Sequence, residues 1–124
     1  KQRKKIPTSE YHNCHVVVLL MGTILVVGFL YLKQTGKDTI ELAVMGVLKE
    51  FHRKGIGRAL FEYAKESIKD NGYSFIQVKT VKMGMYEDYD RTNQFYISLG
   101  FKEFEVLNSL WDENNPCQIY VMAI

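Results

Sequence analysis

Between Val16 and Leu32 the chain carries no charged side chain. Such a run serves either as a short membrane span or as two buried strands. Gly22-Thr23 breaks it midway, Gly28 weakens any helix through it, and Val16, Val17, Val18, Ile24, Val26 and Val27 are β-branched. Branching at Cβ suits a pleated, packed surface better than a helix. The run therefore predicts a hairpin with strands over 15–21 and 24–32, and no membrane partner.

Two strands this apolar need cover, and the rest of the chain is patterned to supply it. Lys33 to Asp38 is polar and turn-like. Thr39 to Leu48 reads as a third strand, with a bulge or a close approach expected at Gly46. The period then changes. Ile56, Ala59, Leu60, Tyr63, Ala64, Ser67 and Ile68 fall on one face of a helix, closed by Asn71-Gly72. Tyr73 to Thr80 is the next strand and Val81 to Tyr89 an irregular loop. Asp90 is placed to cap a short helix over 91–99 that ends at Gly100. Phe101 to Leu107 and Cys117 to Ile124 are the last strands, around a loop at Asn108–Pro116. The order βββαβαββ predicts an α/β fold, one mixed sheet flanked by helices. Residues 1–14 read as a basic, poorly defined segment and 15–124 as a single domain.

Composition sets bounds on function. Of 124 residues, 47% are hydrophobic and 24% charged, which fits a folded globule rather than a disordered chain. Sixteen Lys and Arg against fourteen Asp and Glu leave a net charge of +2, too little for a polyanion field, so no nucleic-acid partner is expected. Lys1, Arg3, Lys4 and Lys5 read as a solvated end. Pro7, Glu10 and His12 separate them from the apolar run, unlike a secretory leader. Cys14 and Cys117 are too few for a disulfide framework or a four-cysteine zinc site, which points to a reducing, cytoplasmic setting. His12, Cys14 and His15 lie too close together on a strand to face one ion, so no metal is expected.

The densest chemistry lies at His52-Arg-Lys-Gly-Ile-Gly-Arg58, after a strand and at the opening of a helix. The first N–H groups of a helix lack internal partners and carry the positive end of its dipole. Gly55 and Gly57 have no side chain to keep an anion away, and His52, Arg53, Lys54 and Arg58 surround the point with donors. This predicts a diphosphate cradle that needs no metal. A Walker loop would need Gly-Lys-Ser/Thr, and Gly57 is followed by Arg58-Ala59. A dinucleotide fingerprint would need a third Gly where Leu60 stands.

Glu41 to Leu60, including the His52–Arg58 junction, resembles the acetyl-CoA motif of the GNAT acetyltransferases. Asn93-Gln-Phe-Tyr-Ile-Ser-Leu-Gly-Phe101 resembles the family's second signature, in the family's order and spacing. The resemblance covers Val16 to Ile124. His52 stands where the family has Gln or Arg. The family's first strand and two helices, which wall the acceptor site, have no counterpart of sufficient length in Lys1 to His12.

The resemblance implies acetyl-CoA as co-substrate and a GNAT-like fold whose N-terminal elements are missing or shortened. It implies that Met45 and Val47, at a bulged end of the third strand, offer backbone groups to the pantetheine arm, with Asn93 beside it. Acetyl transfer to an amine needs a neutral amine and a protonated leaving thiol. Tyr96 matches the family's general acid; its alternative is a core aromatic. Glu41 matches a glutamate that some members use as base, and strand alternation puts Glu41, Ala43 and Met45 on one face; its alternative is a solvent-facing carboxylate. Tyr86, Glu87, Asp88, Asp112 and Glu113 are candidates to attract a cationic amine. Neither cysteine has an evident activating base for a covalent route, although Cys117 could approach the site in space. The expected protein is a cytoplasmic N-acetyltransferase, monomeric or homodimeric, acting on a small-molecule or peptide amine. The alternative is a non-catalytic acyl-CoA-binding or sensing module.

Overall fold

The structure is a computed structural model that describes residues 2–7, 14–21 and 25–124, with side chains from Val27 onward. The chain divides into two compact units, Lys1–Ser74 with Ile124, and Phe75–Ala123.

The first unit is an antiparallel meander followed by a helix. Its strands are β1 (Gln2–Pro7), β2 (Cys14–Met21), β3 (Leu25–Gln34) and β4 (Thr39–Val47). The uncharged run forms β2 and β3 as its branching required; the turn expected at Gly22-Thr23 lies outside the described residues. β1 is an addition to the expected order. Its basic sequence has little strand preference of its own, and pairing with the valines of β2, Ile6 opposite Val16 and Lys4 opposite Val18, supplies it.

Between β3 and β4 the ladder slips once. Tyr31 faces Val44 and Leu32 faces Leu42, so Ala43 is the extra residue of a bulge. Ile40, Leu42, Leu30 and Leu32 are all at most 3% exposed and form the buried face of this pair. Helix α1 (Ile56–Asp70) covers it with Ile56, Leu60, Phe61, Ala64 and Ile68. The helix comes close because Gly28 has no side chain: a Cβ there would sit 2.9 Å from Leu60 Cδ1 and 3.3 Å from Ile56 Cγ2. Phe61, absent from the expected face, is 1% exposed, which widens the stripe by one row.

The second unit holds β5 (Phe75–Val81), α2 (Glu87–Leu99), β6 (Lys102–Asp112) and β7 (Asn115–Ala123). Strand β7 pairs antiparallel with both β5 and β6. Its run Cys117–Tyr120 is buried, while β6 is mostly exposed. Two boundaries differ from expectation. Helix α2 starts at Glu87, not 91, because Glu87, Asp88 and Asp90 offset the positive end of its dipole; Asp90 is not the cap but accepts a 2.7 Å bond from the Gly84 amide. The loop expected at Asn108–Pro116 is mostly strand. Only Glu113 and Asn114 lie between β6 and β7, and Asp112 holds the turn by accepting from the Asn114 amide at 2.9 Å.

Candidate functional site

In the first unit, a 3-10 turn at Lys49–Phe51 leads from β4 into the basic junction. Arg53 has φ 62° and Gly55 φ 77°, so the chain passes twice through left-handed backbone before α1 begins. Glycine takes this conformation without strain, and at Gly55 a Cβ would meet nothing within 4 Å. The ladder of α1 begins with the Ala59 amide on the Gly55 carbonyl at 3.0 Å. The N–H groups of Ile56 and Gly57 therefore precede it, at the positive end of the dipole.

The two helices treat that end in opposite ways. The first turn of α2 carries three acids; the first turn of α1 carries none, and Arg58 stands there. A cation at a helix N-terminus adds to the positive field instead of offsetting it. His52, Arg53, Lys54, Gly55 and Arg58 are exposed around the same point, and the Lys54 ammonium lies 5.8 Å from the centre of the Phe51 ring. The arrangement suits an incoming anion.

His52 is engaged locally. Its Nε2 lies 2.8 Å from the Val47 carbonyl, to which it donates, while the Leu48 amide donates to the Val27 carbonyl at 2.8 Å. These bonds fasten the end of β4 to the junction. One lone pair of Val47, expected to face pantetheine, is thereby taken. A largely apolar recess of about 330 Å³ opens beside it, lined by Val27, Gly28, Phe29, Gly46, Val47 and Leu48, with Lys49 also on its wall.

The bulge revises the expected face of β4. Gly46 does not carry it; a Cβ there would lie 2.7 Å from Phe29 Cε1, so this glycine admits the Phe29 ring. The extra residue is Ala43, and it reverses the alternation beyond it. Met45 pairs with Leu30 on the buried face, whereas Glu41 pairs with Lys33 on the other. Glu41 and Met45 therefore point to opposite faces.

In the second unit, α2 brings Asn93 and Tyr96 inward, at 0% and 8% exposure. Asn93 was expected beside the cofactor, but its amide is committed inside the protein. Nδ2 donates to the carbonyls of Val81 at 2.9 Å and Tyr89 at 2.6 Å, and Oδ1 accepts from the Tyr120 hydroxyl at 2.6 Å. No donor is left on that amide for a ligand.

Tyr96 is packed among rings: Phe101 at 5.8 Å, Phe95 at 5.9 Å and Tyr120 at 6.3 Å between centroids. Among the described residues its hydroxyl has no hydrogen-bond partner. Burial holds its pKa above the ordinary tyrosine value, so the phenol keeps its proton. Tyr120 is raised too, by burial first and then by the Glu103 carboxylate. Tyr120 escaped sequence reasoning; the available signal was a phenol in a core strand, whose buried hydroxyl calls for a partner.

The remaining candidates are dispersed. Glu87 and Asp88 pair with Arg91 on α2, and Asp112 is held in its turn. Cys117 is buried. Among the described residues no three His, Cys, Asp or Glu gather to hold a metal ion, and no helix is long and apolar enough to cross a membrane. His12 lies outside the described residues, as do the side chains of Cys14 and His15.

Comparison with known proteins agrees with this architecture. The chain is 30% identical over 106 residues to mycothiol acetyltransferase of Jonesia denitrificans; that stretch is 83% of this chain but 32% of the relative, so the chain spans about a third of it. A structure described as IAA acetyltransferase from Bacillus cereus superposes with a TM-score of 0.80 at 20% identity, covering 99% of both chains. An aminoglycoside 6'-N-acetyltransferase complexed with coenzyme A superposes at 0.75 with 19% identity, covering 90% of this chain and 73% of that one. The family model described as acetyltransferase (GNAT) domain matches residues 12–103, well over half of the sequence. With the α/β fold and that match together, the chain belongs to the GNAT acetyltransferase family.

Proposed function

We propose that the protein transfers an acetyl group from acetyl-CoA to an amine, borne by a small molecule or a peptide, by direct attack and without an acyl-enzyme. The observation that carries this is the first turn of α1, free of acids and ringed by His52, Arg53, Lys54 and Arg58. Bound acetyl-CoA would supply the activated acyl group. The amides of Ile56 and Gly57 and the basic rim would hold its diphosphate.

In the reaction the amine nitrogen bonds to the acetyl carbon, the carbon–sulfur bond breaks, and the nitrogen sheds a proton to Glu41, directly or through water. The thiolate takes a proton from Tyr96, and solvent restores it. A phenol near pKa ~10 giving a proton to a thiolate of pKa ~8.5 is uphill by about 2 kcal/mol. Burial raises the phenol further, but an enclosed thiolate is raised by the same physics. The Tyr96 hydroxyl, without a hydrogen-bond partner among the described residues, fits a donor whose acceptor arrives with substrate.

Thermal denaturation with coenzyme A tests the cofactor. At about 100 times its dissociation constant the ligand stabilises by about 2.7 kcal/mol. Gly57→Asp, which sets a carboxylate against the diphosphate, is expected to abolish the shift. Equal stabilisation by ATP or NAD with none by coenzyme A would refute the assignment. Binding without turnover on any amine would leave a sensing module instead of an enzyme.

A further inference from the structure

Tyr96 has no hydrogen-bond partner among the described residues, so packing, its ring contacts included, sets where its hydroxyl points. Phe101 lies edge-on at 73° and Tyr120 is tilted at 50°. Of these rings, Tyr120 is itself anchored: its hydroxyl donates to Asn93 Oδ1 at 2.6 Å. Asn93 is in turn fixed by two donated bonds, one to Val81 at the end of β5 and one to Tyr89 on its own helix. All three side chains are buried, Asn93 and Tyr120 completely. An amide with both donors and an acceptor engaged has one orientation, and it imposes one position on the phenol it holds.

We infer that Asn93 and Tyr120 are positioning residues for Tyr96, Asn93 anchoring Tyr120 and the Tyr120 ring holding the Tyr96 ring in its working orientation. This rests on Tyr96 being the proton donor proposed above. Neither residue touches the reacting atoms. Their effect comes through geometry, where misplacement by about 1 Å costs on the order of 10²-fold in rate.

The test is a double-mutant cycle on kcat with Tyr120→Phe and Tyr96→Phe. Coenzyme A release from acetyl-CoA is followed with spermidine, with an alanyl peptide and with water as acceptors, since sulfur departs in each. Tyr120→Phe removes only the anchoring hydroxyl and is expected to lower kcat about tenfold, with the coenzyme A dissociation constant unchanged. In the Tyr96→Phe background the same substitution is expected to change kcat less than about twofold, because the group it positions is gone. Equal loss in both backgrounds, or none in the wild type, overturns the inference. Full turnover in Tyr96→Phe alone would instead sink the proton-donor role, a result visible without Tyr120. Should Tyr120→Phe not fold, Asn93→Leu takes its place: it keeps the volume and removes the acceptor that anchors the Tyr120 hydroxyl, and the same expectations hold.

Discussion

At Glu41 two roles compete for one carboxylate. Its register partner on β3 is Lys33, an opposite charge on the same face, which is a sufficient structural use of a strand glutamate. Glu41→Gln separates that use from catalysis. As a base, Glu41 governs the acid limb of the rate profile, and its loss should depress kcat/KM most at low pH and change the limb's shape. As a cross-strand partner it should cost a few tenths of a kcal/mol in unfolding free energy, with the profile unmoved. A profile measured across the acid limb decides between them. The site was partly legible in the sequence. The placing of Gly55, Gly57 and their basic neighbours at the start of α1 was legible, because a helix N-terminus and its glycines are local. Asn93 was found by spacing, but its bond to Tyr120 was not, since Tyr120 is 27 positions away and nothing local signals that bond. The faces of Glu41 and Met45 were misread for a similar reason: register with β3, not the sequence of β4, puts the extra residue at Ala43.

The element on which the proposed cradle depends is α1, and its seating depends on Gly28. Adding a side chain there meets Leu60 Cδ1 at 2.9 Å, the Gly46 carbonyl at 3.2 Å and Ile56 Cγ2 at 3.3 Å. A methyl alone can displace the Leu60 tip, but Gly28→Val also presses on backbone. Overpacking of that kind costs about 1–3 kcal/mol. Urea unfolding should show a loss in that range, and coenzyme A affinity should fall as well, because Ile56 opens the helix whose amides are proposed to form the cradle. Unchanged stability would mean that α1 is not held against Gly28 as described. The helix itself was legible through its period, and β2 and β3 through their valines. The start of α2 was not, because acids and tyrosines at 86–90 look like a solvated loop until the helix dipole gives the acids a use. The tip of β6 and β7 was hidden by its asparagines, which as isolated residues signal a loop.

For the molecule as a whole, a net charge of +2 leaves no strong self-repulsion near neutrality, so its pH limits are set by buried groups. Two of these are tyrosines, Tyr96 raised by burial and Tyr120 by burial and Glu103. In the unfolded chain a tyrosine releases its proton near pH ~10, whereas in the folded protein these two retain theirs to higher pH. Just above that pH the native state binds more protons than the unfolded state, so unfolding free energy falls as pH rises. Their contribution is fully present below about pH 10 and is lost as pH climbs through the raised folded values. Urea unfolding followed from pH 7 to pH 11 should therefore give a flat region and then a decline. Tyr96→Phe starts less dependent on that proton and should decline less steeply. Tyr120→Phe should do the same, having also removed the group that Glu103 opposes. If Tyr96→Phe keeps the wild-type slope above pH 10, its phenol is not enclosed, and the same enclosure could not hold it protonated for an arriving thiolate.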